Sequence, residues 1–160
     1  MPGWDDLFTA QAGAAAALAG LLFVGLSLNM QKIIGSPGLP SRALLALILL
    51  VSLLLVSLVL LVPAQPTAIV GIELAGMGAG ITYATARVGT QSYRLGDHRY
   101  AAEHLVETAV SITSTSFYIA AGVVTFFAGT RGFYLVVPAA LIAFAVAITD
   151  AWILLVEINR

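Results

Sequence analysis

The chain is 160 residues long, 60% hydrophobic and only 9% charged, with seven Lys/Arg, eight Asp/Glu and a mean hydropathy of +1.00. Soluble domains carry about 25% charged residues, so this composition excludes one, and a formal charge of −1 excludes a nucleic-acid binder that works by neutralising phosphates. Cysteine is absent, which removes disulfides, thiolate metal sites and cysteine catalysis.

About 20 consecutive apolar residues in a helix cross the roughly 30 Å hydrocarbon core of a bilayer. Five runs reach that length, at about 10–34, 42–62, 67–88, 104–128 and 133–157. They predict an all-α integral membrane helix bundle, a single domain over 1–160 with five transmembrane helices. The first run is too long for the apolar core of a cleavable signal, and Asp5 and Asp6 precede it where a signal would be basic. Along it Ala12, Ala16 and Gly20 recur every four residues.

The segment 35–41, Gly-Ser-Pro-Gly-Leu-Pro-Ser, breaks the chain before the second span, with Ser41 as the expected N-cap. Span two is Leu/Val-rich nearly all round, broken only by Ser52 and Ser57, and reads as the most lipid-exposed helix. Pro63-Ala64-Gln65-Pro66 precedes span three, and Pro66 suits a first helical turn. Span three carries Gly76, Gly80 and Ala84 at four-residue spacing, the pattern that lets helices approach closely in lipid, and Glu73 shares that face. The polar stretch 91–103 is a short loop. Span four shows one continuous polar face, Thr108, Ser111, Thr115, Tyr118, Gly122 and Thr125, spaced alternately by three and four. Gly129-Thr130-Arg131-Gly132 turns the chain into span five, where Pro138 marks a kink or packing site. Trp4, Phe8, Phe133 and Tyr134 suggest an aromatic girdle at one interface, and Tyr93, Tyr100 and Trp152 one at the other.

Five spans place Lys32, Arg42, Arg87, Arg94, Arg99 and Arg160 on one side of the membrane and Arg131 on the other. Basic residues favour the cytoplasmic side, so the N-terminus lies outside and the C-terminus inside.

A carboxylate within a span is costly and is a functional candidate by default. Glu73 lies about 9 Å below the outer edge. It reads as a proton- or cation-binding group facing a cavity, or as the acceptor of an interhelical hydrogen bond from span-four hydroxyls or Arg131. Asp150 is about 25 Å from that edge, and Arg87 is about 30 Å from it, near the level of Lys32 and Asn29. Asn29, Lys32, Arg87 and Asp150 would form a structural ion-pair cluster with basic chains reaching for the interface, or a transport gate. The stripe 108–125 either packs the bundle, its hydroxyls bonded to their own helix, or lines a water-filled path.

Glu103, His104 and Glu107 fall on one helical face, but the order is His-x-x-Glu and occurs once, unlike the Glu-x-x-His pairs of di-iron bundles. No metal is expected. No cofactor is expected either: no two histidines lie on facing spans for haem, and Lys32, the only lysine, is at a span edge. No nucleophile–base pair or phosphate loop is present, so the chain does not read as an enzyme.

Several segments carry a resemblance: Trp4-Asp5-Asp6-Leu7-Phe8, then residues 17–29, Ala-Leu-Ala-Gly-Leu-Leu-Phe-Val-Gly-Leu-Ser-Leu-Asn, then Leu39-Pro40-Ser41-Arg42-Ala43, Leu61-Val62-Pro63, Gly71-Ile72-Glu73-Leu74 and the closing 152–158. Together they resemble a family of small bacterial polytopic membrane proteins, most of them without an assigned activity and some labelled modulators of a membrane-bound ATP-dependent protease. The resemblance implies the bacterial cytoplasmic membrane and no site residues. The expected partners are the lipid bilayer and membrane helices, the chain's own copies included. The expected role is non-catalytic helix–helix packing, structural or regulatory, the alternative being a homo-oligomeric channel or carrier for protons, cations or small polar solutes.

Overall fold

A computed structural model describes residues 3–35, 38–95 and 101–156, with side chains described outside 92–104. The fold is all-α: α1 Asp5–Leu28, α2 Met30–Gly35, α3 Leu39–Leu60, α4 Thr67–Leu95, α5 Ala101–Ala128, a 3₁₀ turn Gly129–Gly132, and α6 Phe133–Val156. Among the described residues, four stretches are long and apolar enough to cross a membrane: Asp5–Leu28, Leu39–Leu60, Thr67–Gln91 and Leu105–Val156. The last holds both the fourth and fifth predicted spans, folded back on each other at the 3₁₀ turn. Helix is what such a sequence must form in lipid, where each backbone polar group has to be satisfied within its own segment.

The boundaries follow local chemistry. α1 starts five residues earlier than predicted, with Asp5 and Asp6 in its first turn, where the helix dipole favours acids. It stops at Asn29 instead of running on to Ile34. The Asn29 side-chain amide donates to the Gly25 carbonyl (3.1 Å) and its backbone N–H to that of Leu26 (3.2 Å), closing the last turn before the short α2. α3 is capped by Gly38 and not by Ser41. Gly38 adopts φ +90°, a left-handed conformation that glycine enters without steric cost, and Pro40 sits in the first turn, where its missing N–H is not needed. α4 begins at Thr67, and the Pro66 carbonyl accepts from Ile69 and Val70.

The helices alternate in direction. The start of α1 meets the end of α3 (Gln11 to Leu53), the start of α4 meets the end of α5 (Gly71 to Gly122), and the start of α5 meets the end of α6 (Glu107 to Asp150). α3, α4, α5 and α6 close a four-membered ring, and α1 packs chiefly on α3. α3 is therefore central: 56% of its most apolar stretch is buried, against 22% for α1 and for α4. This corrects the sequence reading of α3 as the most lipid-exposed helix. Leu and Val suit lipid and protein interior equally, so hydropathy does not separate the two environments.

The core has two parts. One lies among α1, α3 and α6 around Leu22, Leu49, Leu53 and Leu154. The other gathers Phe8, Leu60, Leu74, Tyr118, Phe133 and Val136. In the second part Trp4 stacks on Phe8 at 5.7 Å and meets Phe133 and Tyr134 edge-on at 5.8 and 4.9 Å. Phe8 and Phe133 are fully buried, so this group plugs the α1–α6 contact; of the expected girdle, Tyr134 faces outward and Trp4 is half-buried. At the other end Trp152 is exposed, and Tyr93 and Tyr100 lie outside the residues with described side chains.

The closest helix contact is α4 on α5, and it uses a different face from the one expected. A Cβ added to Gly76 or Gly80 would meet nothing within 4 Å, whereas one on Gly71 would lie 2.7 Å from the Phe126 nitrogen and one on Gly78 2.7 Å from that of Ile119. Gly71, Ala75 and Gly78 form the packed face, and Gly76 and Gly80 turn outward.

Candidate functional site

The alternating directions carry three charged side chains to one end of the bundle: Arg42 in the first turn of α3, Glu107 near the start of α5, and Asp150 near the end of α6. Arg42 Nη2 lies 2.7 Å from Glu107 Oε2, and Arg42 Nε lies 3.5 Å from Asp150 Oδ1. Asp150 is buried to 1% exposure and Glu107 is half-buried, its carboxylate next to that of Asp150. A charge this deep needs a partner, because desolvation costs several kcal/mol per ion. Arg42 supplies it for both carboxylates. The group opens onto a cleft of about 590 Å³ between α5 and α6, also lined by Val106, Val110, Ala145, Val146 and Thr149.

The cluster expected from the sequence is not brought together. Asp150 pairs with Arg42 and not with Lys32 or Arg87. Asn29 caps α1 through the Gly25 carbonyl. Arg87 donates from Nε to the Tyr83 hydroxyl at 3.0 Å and sits 5.7 Å over that ring, on an exposed face of α4. The signal for Arg42 and Glu107 was present in the sequence. Both stand at the starts of helices that run opposite to α6, which puts them at the level of Asp150; reading Arg42 for topology alone and Glu107 only beside Glu103 and His104 passed over it.

Glu73 is half-buried and accepts a 2.8 Å hydrogen bond from Gln65 Nε2 in the linker before α4. Its partner is therefore neither a span-four hydroxyl nor Arg131, which is exposed at the 3₁₀ turn.

The polar stripe of α5 is buried from Ser111 to Thr125, and Thr108 is half-buried. Ser111 donates to the Glu107 carbonyl at 2.8 Å, and Thr115 to those of Ser111 and Ile112 at 3.1 Å. Tyr118 is enclosed, its hydroxyl beside Ser52 but outside hydrogen-bond geometry. Thr125 lies against Gly132, and Thr108 against Gly89. One serine off the stripe, Ser114, crosses between helices, donating to the Ala139 carbonyl of α6 at 2.8 Å next to Pro138.

Among the described residues no group of three His, Cys, Asp or Glu could hold a metal. Glu103 and His104, set beside Glu107 in the sequence, lie outside the residues with described side chains, as do Arg94, Arg99 and Arg160. Comparison with family models, with curated proteins and with solved structures returns no match to this chain.

Proposed function

We propose that this chain is a five-span protein of the bacterial cytoplasmic membrane, N-terminus outside and C-terminus inside, that works without catalysis by packing against other membrane helices, its own copies included. The 52 residues of Leu105–Val156 would measure about 78 Å as one helix, more than twice a hydrocarbon core, so two crossings account for them better than one. Large apolar side chains such as Leu28, Phe127 and Leu21 point outward at 79%, 82% and 68% exposure, a surface suited to lipid and to neighbouring helices. Of the basic residues with described side chains, Lys32, Arg42 and Arg87 lie towards the proposed inner end and Arg131 at the other, in keeping with the positive-inside rule.

The observation that carries the packing role is the burial of the α5 stripe. Ser111, Thr115, Tyr118 and Thr125 are shut into helix contacts, and the first two spend their hydroxyls on their own helix, which supports packing over a wet path along the stripe. Native mass spectrometry and disulfide trapping test the reading. The chain has no cysteine of its own, so Gly80→Cys, where the outer face has room, is expected to give cross-linked dimers in native membranes, and the buried Ala143→Cys is not. A purely monomeric protein that co-purifies with no other membrane protein would overturn it.

The channel or carrier reading keeps one support. Glu73, Gly76 and Gly80 share the outward face of α4, so a polar path would have to lie between copies. Ion flux into liposomes that disappears with Glu73→Gln would favour it, and no flux would end it.

A further inference from the structure

Arg42 holds its two carboxylates unequally. Its Nη2 lies 2.7 Å from Glu107 Oε2, whereas its Nε stands 3.5 Å from Asp150 Oδ1, outside hydrogen-bond geometry. Asp150 is 1% exposed, and its Oδ2 is shut off from solvent and accepts no hydrogen bond. A buried acceptor left bare calls for a donor. What lies beside it is the Glu107 carboxylate, near enough for a side-chain hydrogen bond. Two carboxylates in contact away from water do not both ionise; one keeps a proton and donates it to the other.

The remaining charged groups around α6 do not change this. α1 packs on α6 but is charged only at Asp5 and Asp6, and the 3₁₀ turn only at Arg131, all at the opposite end of the bundle. Within α6 Asp150 is the one charged side chain among the described residues. Glu107 has a further interaction beside Arg42, and Glu103 and His104 precede it on α5, outside the residues with described side chains; Asp150 Oδ2 still has no donor. We propose that Glu107 and Asp150 form a proton-binding site, in which one proton on Asp150 Oδ2 is donated to the Glu107 carboxylate. The proton turns the bare acceptor into a donor and removes the like-charge contact, while Arg42 keeps its closer ion pair with Glu107. No ligand larger than a proton reaches that enclosed oxygen. This goes beyond the packing role and does not depend on it.

Infrared spectroscopy of the full chain in dodecyl maltoside, a detergent without carbonyl groups, tests the site. A protonated carboxyl absorbs above the amide band. One such band is expected at neutral pH, and carbon-13 at the aspartate carboxyls of the unchanged protein should move it to lower wavenumber; of the four aspartates only Asp150 lies within a span. Asp150→Asn should abolish this label-sensitive band. Glu107→Gln should abolish it too, because Asp150 then has Arg42 without a neighbouring carboxylate. Both variants are compared with the parent in size-exclusion behaviour and helicity, and the labelled parent carries the test where a variant does not fold. Absence of a label-sensitive band at neutral pH, or its survival in either folded variant, would overturn the proposal.

Discussion

Gly71 and Gly122 face each other across the α4–α5 contact with no side chain between them. A Cβ on Gly71 would sit 2.8 Å from the Gly122 carbonyl oxygen, and one on Gly122 would fall on the Ala75 amide nitrogen. The obstructing atoms are backbone, which cannot rotate away, so the two helices would have to part. Gly122→Ala should therefore destabilise by about 1–3 kcal/mol despite alanine's better helix propensity. Gly80→Ala, with open space around it, should raise the melting temperature, since a helix interior gains up to about 1 kcal/mol from that change. Thermal unfolding of both variants in the same detergent checks the pair.

Arg42 serves two carboxylates, so its loss should cost more than that of an ordinary ion pair. Arg42→Met removes the guanidinium that Glu107 and Asp150 share and is expected to lower stability by about 3–5 kcal/mol. Adding Glu107→Gln and Asp150→Asn to the same chain removes the buried charges and should restore most of it. A triple variant no more stable than Arg42→Met would show that the cluster is not held electrostatically.

Hydroxyls that look alike in the sequence should differ in effect. Ser114 bonds across to α6, whereas Ser116 bonds the Ile112 carbonyl of its own helix at 2.7 Å. Ser114→Ala should cost about 0.6 kcal/mol, the average for an interhelical hydrogen bond in a membrane protein. Ser116→Ala should be close to neutral, because the carbonyl keeps its helical partner. Equal losses in reversible unfolding would remove the distinction.

Topology is open to direct labelling, again because cysteine is absent. In intact spheroplasts a membrane-impermeant maleimide should reach Asp6→Cys and Thr130→Cys, and should reach Gln91→Cys only after permeabilisation. Labelling of Gln91→Cys alone in intact cells would invert the orientation.

Much of the fold was legible because the signals were local. Pro66, Gly129–Gly132 and the 35–41 turn segment punctuate the chain, and the helix starts at Thr67 and Phe133 fall where those residues put them. The stop at Asn29 was missed because its side chain competes for the Gly25 carbonyl, a polar act inside an apolar run. The site was partly legible. Asp150 stood out as a buried charge, but pairing it by depth along single spans led to Arg87 and Lys32, when the lateral order of the helices places Arg42 beside it.

The sequence by itself determined that this chain is a set of apolar helices separated by short turns, since length, hydropathy and the Gly and Pro breaks are properties of contiguous residues. Only the tertiary structure decided that α3 is the centre of the bundle, that α4 packs through Gly71 and Gly78 while Gly76 and Gly80 face out, and that Asp150 meets Arg42. The reason is physical. An apolar side chain gains as much from lipid as from a neighbouring helix, so hydropathy cannot choose a helix's neighbours. Close backbone fit and the pairing of buried charges make that choice, and both arise between residues far apart in the chain.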